Sequence, residues 1–183
     1  MSVTSNKPAI EKKLKFDDEK VKKHSDVTLK IGDQKFYVNK MYLAHHSTYF
    51  ESLFFKNAAE SKKTVFELKD IDPNDFQYYL ELIYGECSVR EYSVLGILHL
   101  ADFFDSKTAF KRCQKYLVQK STLPLHQKFE AAIKYNLEEL KIKCISEMKS
   151  AAHLQSIVPE DPSNFDYAVW KELFKKSISM IPK

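Results

Sequence analysis

Ser25-Asp26-Val27-Thr28-Leu29-Lys30-Ile31-Gly32-Asp33-Gln34-Lys35-Phe36-Tyr37-Val38 is the stretch that decides the fold. Val27, Leu29 and Ile31 alternate with Thr28 and Lys30, the period of two that marks a half-buried strand. Gly32-Asp33 reads as a turn, and Lys35 to Val38 as the strand that returns from it. A hairpin is therefore predicted, with the ordered part of the chain beginning at Ser25.

Two short helices are predicted beyond the hairpin, Met41 to about His45 and Ser47 to Phe55. The Ser47 hydroxyl is placed to accept from an orphan N–H at the start of the second. A third strand is predicted at Thr64-Val65-Phe66-Glu67-Leu68. Asp72-Pro73-Asn74-Asp75 then combines a capping acid, a Pro in the first turn and a further acid, all of which favour a helix start. Phe76, Tyr79, Leu80, Ile83 and Tyr84 follow at i, i+3, i+4, i+7 and i+8, a core-facing stripe that ends at Gly85.

Val94, Leu95, Leu98, Ala101 and Asp102 trace a further helix, and Ala109, Phe110, Cys113 and Leu117 the next. Pro124 opens another, carrying Phe129, Ala132 and Ile133 and ended by Asn136, a residue that tolerates the left-handed region. Leu137, Leu140, Cys144 and Met148 form the buried edge of its successor. Pro159 and Pro162 interrupt the pattern. Tyr167, Val169, Trp170, Leu173, Phe174 and Ile178 predict one last amphipathic helix, its stripe expected to dock on the protein's own core.

Toward the N-terminus, residues 1–24 are rich in Lys (Lys7, Lys12, Lys13, Lys15, Lys20, Lys22 and Lys23) and poor in large apolar groups beyond Ile10, Leu14, Phe16 and Val21. A flexible charged arm is expected there, with at most a marginal helical piece.

The chain has 183 residues, room for one core and a short extension. Thirteen Phe and ten Tyr supply interior bulk, while only three Gly limit the tight turns it can build, so a mainly helical body is expected. The net charge of +4 is carried almost wholly by Lys, since Arg90 and Arg112 are the only arginines. Specific readers of bases favour the rigid guanidinium fork, so a specific nucleic-acid partner is not expected. Three widely spaced cysteines, Cys87, Cys113 and Cys144, fit reduced thiols of an intracellular protein better than disulfides. Neither a signal-peptide pattern nor an apolar run of membrane-crossing length is present.

Catalysis needs a convergent nucleophile, base and charge stabiliser. His24, His45, His46, His99, His126 and His153 have no metal-ligand spacing with the cysteines, and no Gly-rich phosphate loop or G-x-S-x-G elbow occurs. No enzyme activity, metal or cofactor is expected.

Ser25 to Gly32, Phe36-Tyr37-Val38-Asn39-Lys40, Leu43-Ala44, Ser47-Thr48-Tyr49-Phe50, Leu53-Phe54, Val65 to Ile71, Phe76 and Ile83-Tyr84-Gly85 together resemble the BTB/POZ family over residues 25–120. A Thr or Ser that often separates that Tyr from the Gly is missing here. The resemblance implies an α+β fold, a small mixed sheet capped by helical hairpins, usually dimeric through the first helices. It places Met41, Tyr42 and Tyr49 at a dimer interface, with Leu43 and Phe50 in the core. Asp26 and Lys40 match two charged positions near the dimer boundary. Two readings stand for them, a partner-binding charged pocket or an ion pair that fixes the fold.

Asn57 to Lys63 connects the second short helix to the third strand. In BTB adaptors of cullin-3 ubiquitin ligases this place carries a hydrophobic residue, any residue, then Glu. Here the triplet is Ala58-Ala59-Glu60, and Ala in place of Met or Leu forfeits about 1–2 kcal/mol of contact. With Phe55 these residues form the implied cullin-binding set; the alternative is a solvated loop with a chance Glu. Residues 121–183 resemble the three-box or BACK-like helices that follow the BTB domain in such adaptors, of which the MATH-BTB proteins are the nearest type. No MATH substrate domain, Kelch repeat or zinc-finger spacing is seen. Trp170 and Phe174 are candidates for a further partner surface.

Two functions follow from the resemblance: a homodimeric substrate-adaptor subunit for a cullin-3-type scaffold, or a scaffold or decoy that binds itself or other BTB proteins without a ligase.

Overall fold

The computed structural model describes residues 14–181. Ile10 and the arm lysines Lys7, Lys12 and Lys13 lie outside the described residues. The chain divides into two compact units, one running to Cys113 and one starting at Gln114.

The first unit is built on the predicted hairpin. β1 (Val27–Ile31) and β2 (Gln34–Val38) pair antiparallel with Leu29 opposite Phe36. Only two residues, Gly32 and Asp33, join them, so the chain must reverse at once, and Gly32 takes the φ of +56° that this requires. β3 (Val65–Glu67) adds to the other side of β1, parallel, giving a mixed sheet of order β2-β1-β3.

β2 is an edge strand, and the arm covers it. The Tyr37 N–H donates to the Phe16 carbonyl at 2.7 Å, and the Phe16 ring sits edge-on to Tyr84 with centroids 5.0 Å apart. The Gln77 side chain donates to the Leu14 carbonyl at 2.8 Å, and Phe16 is fully buried. The flexible arm expected over 1–24 is therefore packed from Leu14 onward, with α1 as a single turn (Glu19–Lys22) capped by Asp18. One aromatic ring outweighs the charged composition around it, because burying a Phe is worth about 2–3 kcal/mol and the edge strand offers N–H groups to bond.

Helices close over the sheet: α2 (Lys40–His46), α3 (Thr48–Phe55), α4 (Ala58–Lys62), α5 (Pro73–Ile83), α6 (Val94–Phe103) and the first part of α7 (Lys107–Gln119). α5 starts as the sequence implies, with the Asp72 carboxylate accepting from Asn74 and Asp75 and Pro73 in the first turn. Gly85 follows its end with φ +79°. α4 replaces the loop expected at Asn57 to Lys63: the Asn57 side chain accepts from the Glu60 N–H at 2.9 Å and nucleates one helical turn.

The core of this unit centres on Phe104, whose ring lies 4.6 Å from Phe50, 5.3 Å from Tyr79 and 5.9 Å from Phe76. Ser47 fastens α3 to it. Its hydroxyl accepts from Phe50 N–H and donates to the Phe104 carbonyl. A helix of eight residues cannot stand alone, and such contacts are what hold it.

The second unit carries α8 (Leu125–Lys134), α9 (Glu138–Glu147), α10 (Ala151–Ile157), a 3-10 turn (Pro162–Asn164) and α11 (Tyr167–Ser179). Asn136 does take a left-handed φ, +51°, between α8 and α9. Phe129, Ala132, Leu137, Leu140, Cys144 and Met148 are buried as their spacing implies. α10 was not expected. Ser150 caps it by accepting from His153, and Ile157 is its buried residue. On α11 only Val169 and Leu173 are buried, so the six-residue apolar set divides between two faces and Phe174, 67% exposed, does not dock on the core.

Candidate partner-docking surface

α2 begins at Lys40 because two side chains satisfy its first N–H groups. Asp26 Oδ1 accepts from Lys40 N at 2.8 Å, and Asn39 Oδ1 accepts from Tyr42 N at 3.4 Å. An acid at this end also opposes the positive pole of the helix. The Lys40 ammonium points elsewhere: it donates to the Ser61 carbonyl at 2.7 Å and lies 5.8 Å from the Phe66 ring centroid. Asp26 and Lys40 thus meet through the backbone, and the side-chain ion pair weighed for them does not form. Lys40 is buried while Asp26 is exposed.

Helical geometry sorts the neighbours of Lys40. Leu43 is fully buried, and so is Phe50 on α3. Met41 faces away and is 69% exposed. Tyr42 is half-buried and occupied within the protein, its hydroxyl donating to the Ile83 carbonyl at 2.7 Å and its ring 4.3 Å from Tyr84. Tyr49 is half-buried among Phe50, Phe103 and Phe104, and burial pushes its phenol pKa up. Of the three residues expected at a dimer interface, Met41 is freely presented, while Tyr42 and Tyr49 show only their edges.

Phe55 ends α3 at 44% exposure. Ala58 is exposed at the start of α4 and Glu60 is half-buried two residues on, its backbone N–H capped by Asn57 and its carboxylate without a partner among the described residues. Phe55 and Met41, assigned by sequence to two different contacts, border one groove of about 460 Å³, together with Ala44, His45 and Glu51. Sequence reading missed those three. Their signal is helical spacing, 41 with 44 and 45, and 51 with 55.

Among the described residues no group of three or more His, Cys, Asp or Glu is placed to hold a metal, and no helix is long and apolar enough to cross a membrane. Burial pushes the Cys113 thiol up to about 12 and the Cys144 thiol up to about 11, away from reactive thiolate. His46 is shifted below the usual imidazole range, by burial first and then by the neighbouring His45 and Arg112. The groove between Met41 and Phe55 carries two exposed apolar side chains beside the polar His45 and Glu51.

The family profile of the BTB/POZ domain matches residues 16–121, starting at the ring that anchors the arm. BTB and MATH domain-containing protein 15 of Caenorhabditis elegans is 40% identical over 137 residues, 75% of this chain and 50% of that protein. BTB and MATH domain-containing protein 45 of the same organism is 32% identical over 165 residues, 90% of this chain and 35% of that protein. The solved BTB domain of zebrafish PATZ1 is similar at 28% identity, covering 53% of this chain and 78% of that one with a TM-score of 0.45. The chain spans half or less of the length of these two worm relatives. Hairpin, parallel third strand, covering helices and profile agree: this chain belongs to the BTB/POZ family and carries its protein-interaction domain.

Proposed function

We propose that this protein is a substrate-adaptor-like subunit that pairs with a second copy of itself and engages a cullin-3-type scaffold. The observation that carries the reading is the juxtaposition at the α3–α4 turn. An exposed Phe55 precedes Ala58 and a Glu60 whose carboxylate has no partner among the described residues. A carboxylate left open beside an exposed ring can pair with a cation or N–H of a docked protein. Met41 and the edges of Tyr42 and Tyr49 form the self-association surface, continuous with the groove.

A second reading rests on Ala58. A methyl group buries too little area to anchor a large partner, and a BTB scaffold or decoy that binds itself or other BTB proteins needs no such anchor. Titration calorimetry against the cullin-3 N-terminal region separates the two. The adaptor reading expects micromolar binding, weakened about tenfold or more by Glu60→Ala and by Phe55→Ala. Absence of heat at tens of micromolar, with light scattering still reporting a dimer that Met41→Asp dissociates, would leave the scaffold reading.

A further inference from the structure

We propose that the outer face of α11 docks an acidic amphipathic helix of another protein. Val169 and Leu173 bury the inner face of this helix. Tyr167, Phe174, Ile178 and, in the turn that follows, Ile181 are left out, at 79%, 67%, 51% and 67% exposure. With Lys171 among them, positions 167, 171, 174, 178 and 181 advance by four, three, four and three. Such steps average three and a half residues and hold a narrow seam on one side of a helix, the pattern that interlocks with a second helix. An interfacial membrane helix instead presents a broad apolar arc, and here the remaining arc is already fixed on the protein itself.

Charge selects the chemistry of the occupant. Lys171 is exposed within the seam, Lys175 is exposed beside it, and Lys176 is half-buried. Glu172, the one acid in α11, is drawn off to Lys141 at 3.7 Å. The Lys171 ammonium lies 6.0 Å from the Tyr167 ring centroid, so the seam itself carries a positive charge. A second copy of α11 would set lysine against lysine. A helix with Asp or Glu flanking its own apolar stripe would meet each of them with an opposite charge. This inference does not draw on the cullin contact proposed at Phe55, Ala58 and Glu60.

The test uses the full chain and two labelled three-heptad peptides with Leu at the seam positions, one with Glu and the other with Lys at the flanks. Fluorescence anisotropy is expected to show the acidic peptide binding about tenfold or more tightly than the basic one, with affinity falling as salt rises. Phe174→Ala with Ile178→Ala abolishes that binding, and Lys171→Glu with Lys175→Glu turns the preference toward the basic peptide. All four side chains are exposed, so circular dichroism should be unchanged. Equal affinity for both peptides, no binding, loss of self-association in the Phe174→Ala, Ile178→Ala variant, or capture by phosphatidylserine vesicles without peptide binding would each overturn the proposal.

Discussion

The Asp26 carboxylate accepts a hydrogen bond from the backbone of Lys40 at 2.8 Å while the Lys40 ammonium turns to Ser61. Two opposite charges adjacent in the fold are thus used separately, one to start α2 and the other to tie the end of α4 to α2. The division matters because α2 presents Met41. Whatever secures the first turn of that seven-residue helix secures the docking face.

Asp26→Asn keeps an acceptor oxygen at the cap and should cost little, under about 0.5 kcal/mol, whereas Asp26→Ala should cost about 1 kcal/mol. Urea midpoints of the two variants distinguish cap from ion pair. Equal losses in both would show that the charge itself, not the hydrogen bond, is what the fold requires.

The Tyr79 hydroxyl is buried with no hydrogen-bond partner of proper geometry among the described residues, and the Ser106 hydroxyl near it is in the same position. A buried unsatisfied hydroxyl costs about 1–3 kcal/mol. Tyr79→Phe keeps the ring against Phe76 and Phe104 and removes the orphan oxygen. It should raise stability by about 1 kcal/mol, seen as a higher melting temperature. A lower melting temperature would mean that the hydroxyl is bonded in solution.

The parts of the fold that sequence revealed are those where periodicity and capping coincide. β1 alternates, α5 has its Asp-Pro start and its stripe, and Asn136 marks the α8–α9 break. What stayed hidden depended on one residue against an uninformative background. Phe16 packs from an arm that reads as solvated, and α4 and α10 are short runs, the first of Ala and polar residues and the second with only Leu154 and Ile157 added, whose advance notice is Asn57 and Ser150 as caps. On α11 every apolar residue was read as one stripe. The buried pair steps by four from Val169 and the exposed set by four and three from Tyr167, and only the packing tells which faces inward. The groove was illegible for a different reason: Met41 and Phe55 are far apart in the chain, and nothing local says that α2 and α3 bring them together.

Within the second unit, Lys128 is almost fully buried and its ammonium meets the Glu147 carboxylate at 3.1 Å. Removing the acid strands the cation, a loss of about 3 kcal/mol for a buried pair and less here because Glu147 is partly solvated. Glu147→Ala should therefore loosen α8 and α9, read as faster amide exchange in both. Lys128→Met in the same protein should recover much of the protection, since the cation to be compensated is gone. Failure of that rescue would assign the loss to helix α9 alone.

Burial pushes the Tyr84 phenol from its ordinary value of 10 up to about 12. Between those values the unfolded chain has released this proton and the folded chain still holds it. The contribution of Tyr84 is therefore complete below pH 10 and is lost as pH rises toward 12. Tyr84→Phe, which has no proton to lose, should flatten part of the decline in urea midpoint over that window. An unchanged alkaline profile would place the titration elsewhere.

Thiol chemistry gives the simplest check on which cysteines the two units enclose. With pKa values near 12 and 11, Cys113 and Cys144 are thiolate at pH 8 in only about one part in ten thousand and one in a thousand. Both are also sealed from solvent, whereas Cys87 is half-exposed in the segment after α5. Iodoacetamide at pH 8 should modify Cys87 alone in the native protein, and all three thiols once urea is added. Peptide mass mapping identifies the site. Alkylation of Cys144 at the rate of Cys87 would mean that the face of α9 carrying Leu140 and Cys144 opens in solution, and with it the support on which the second unit rests.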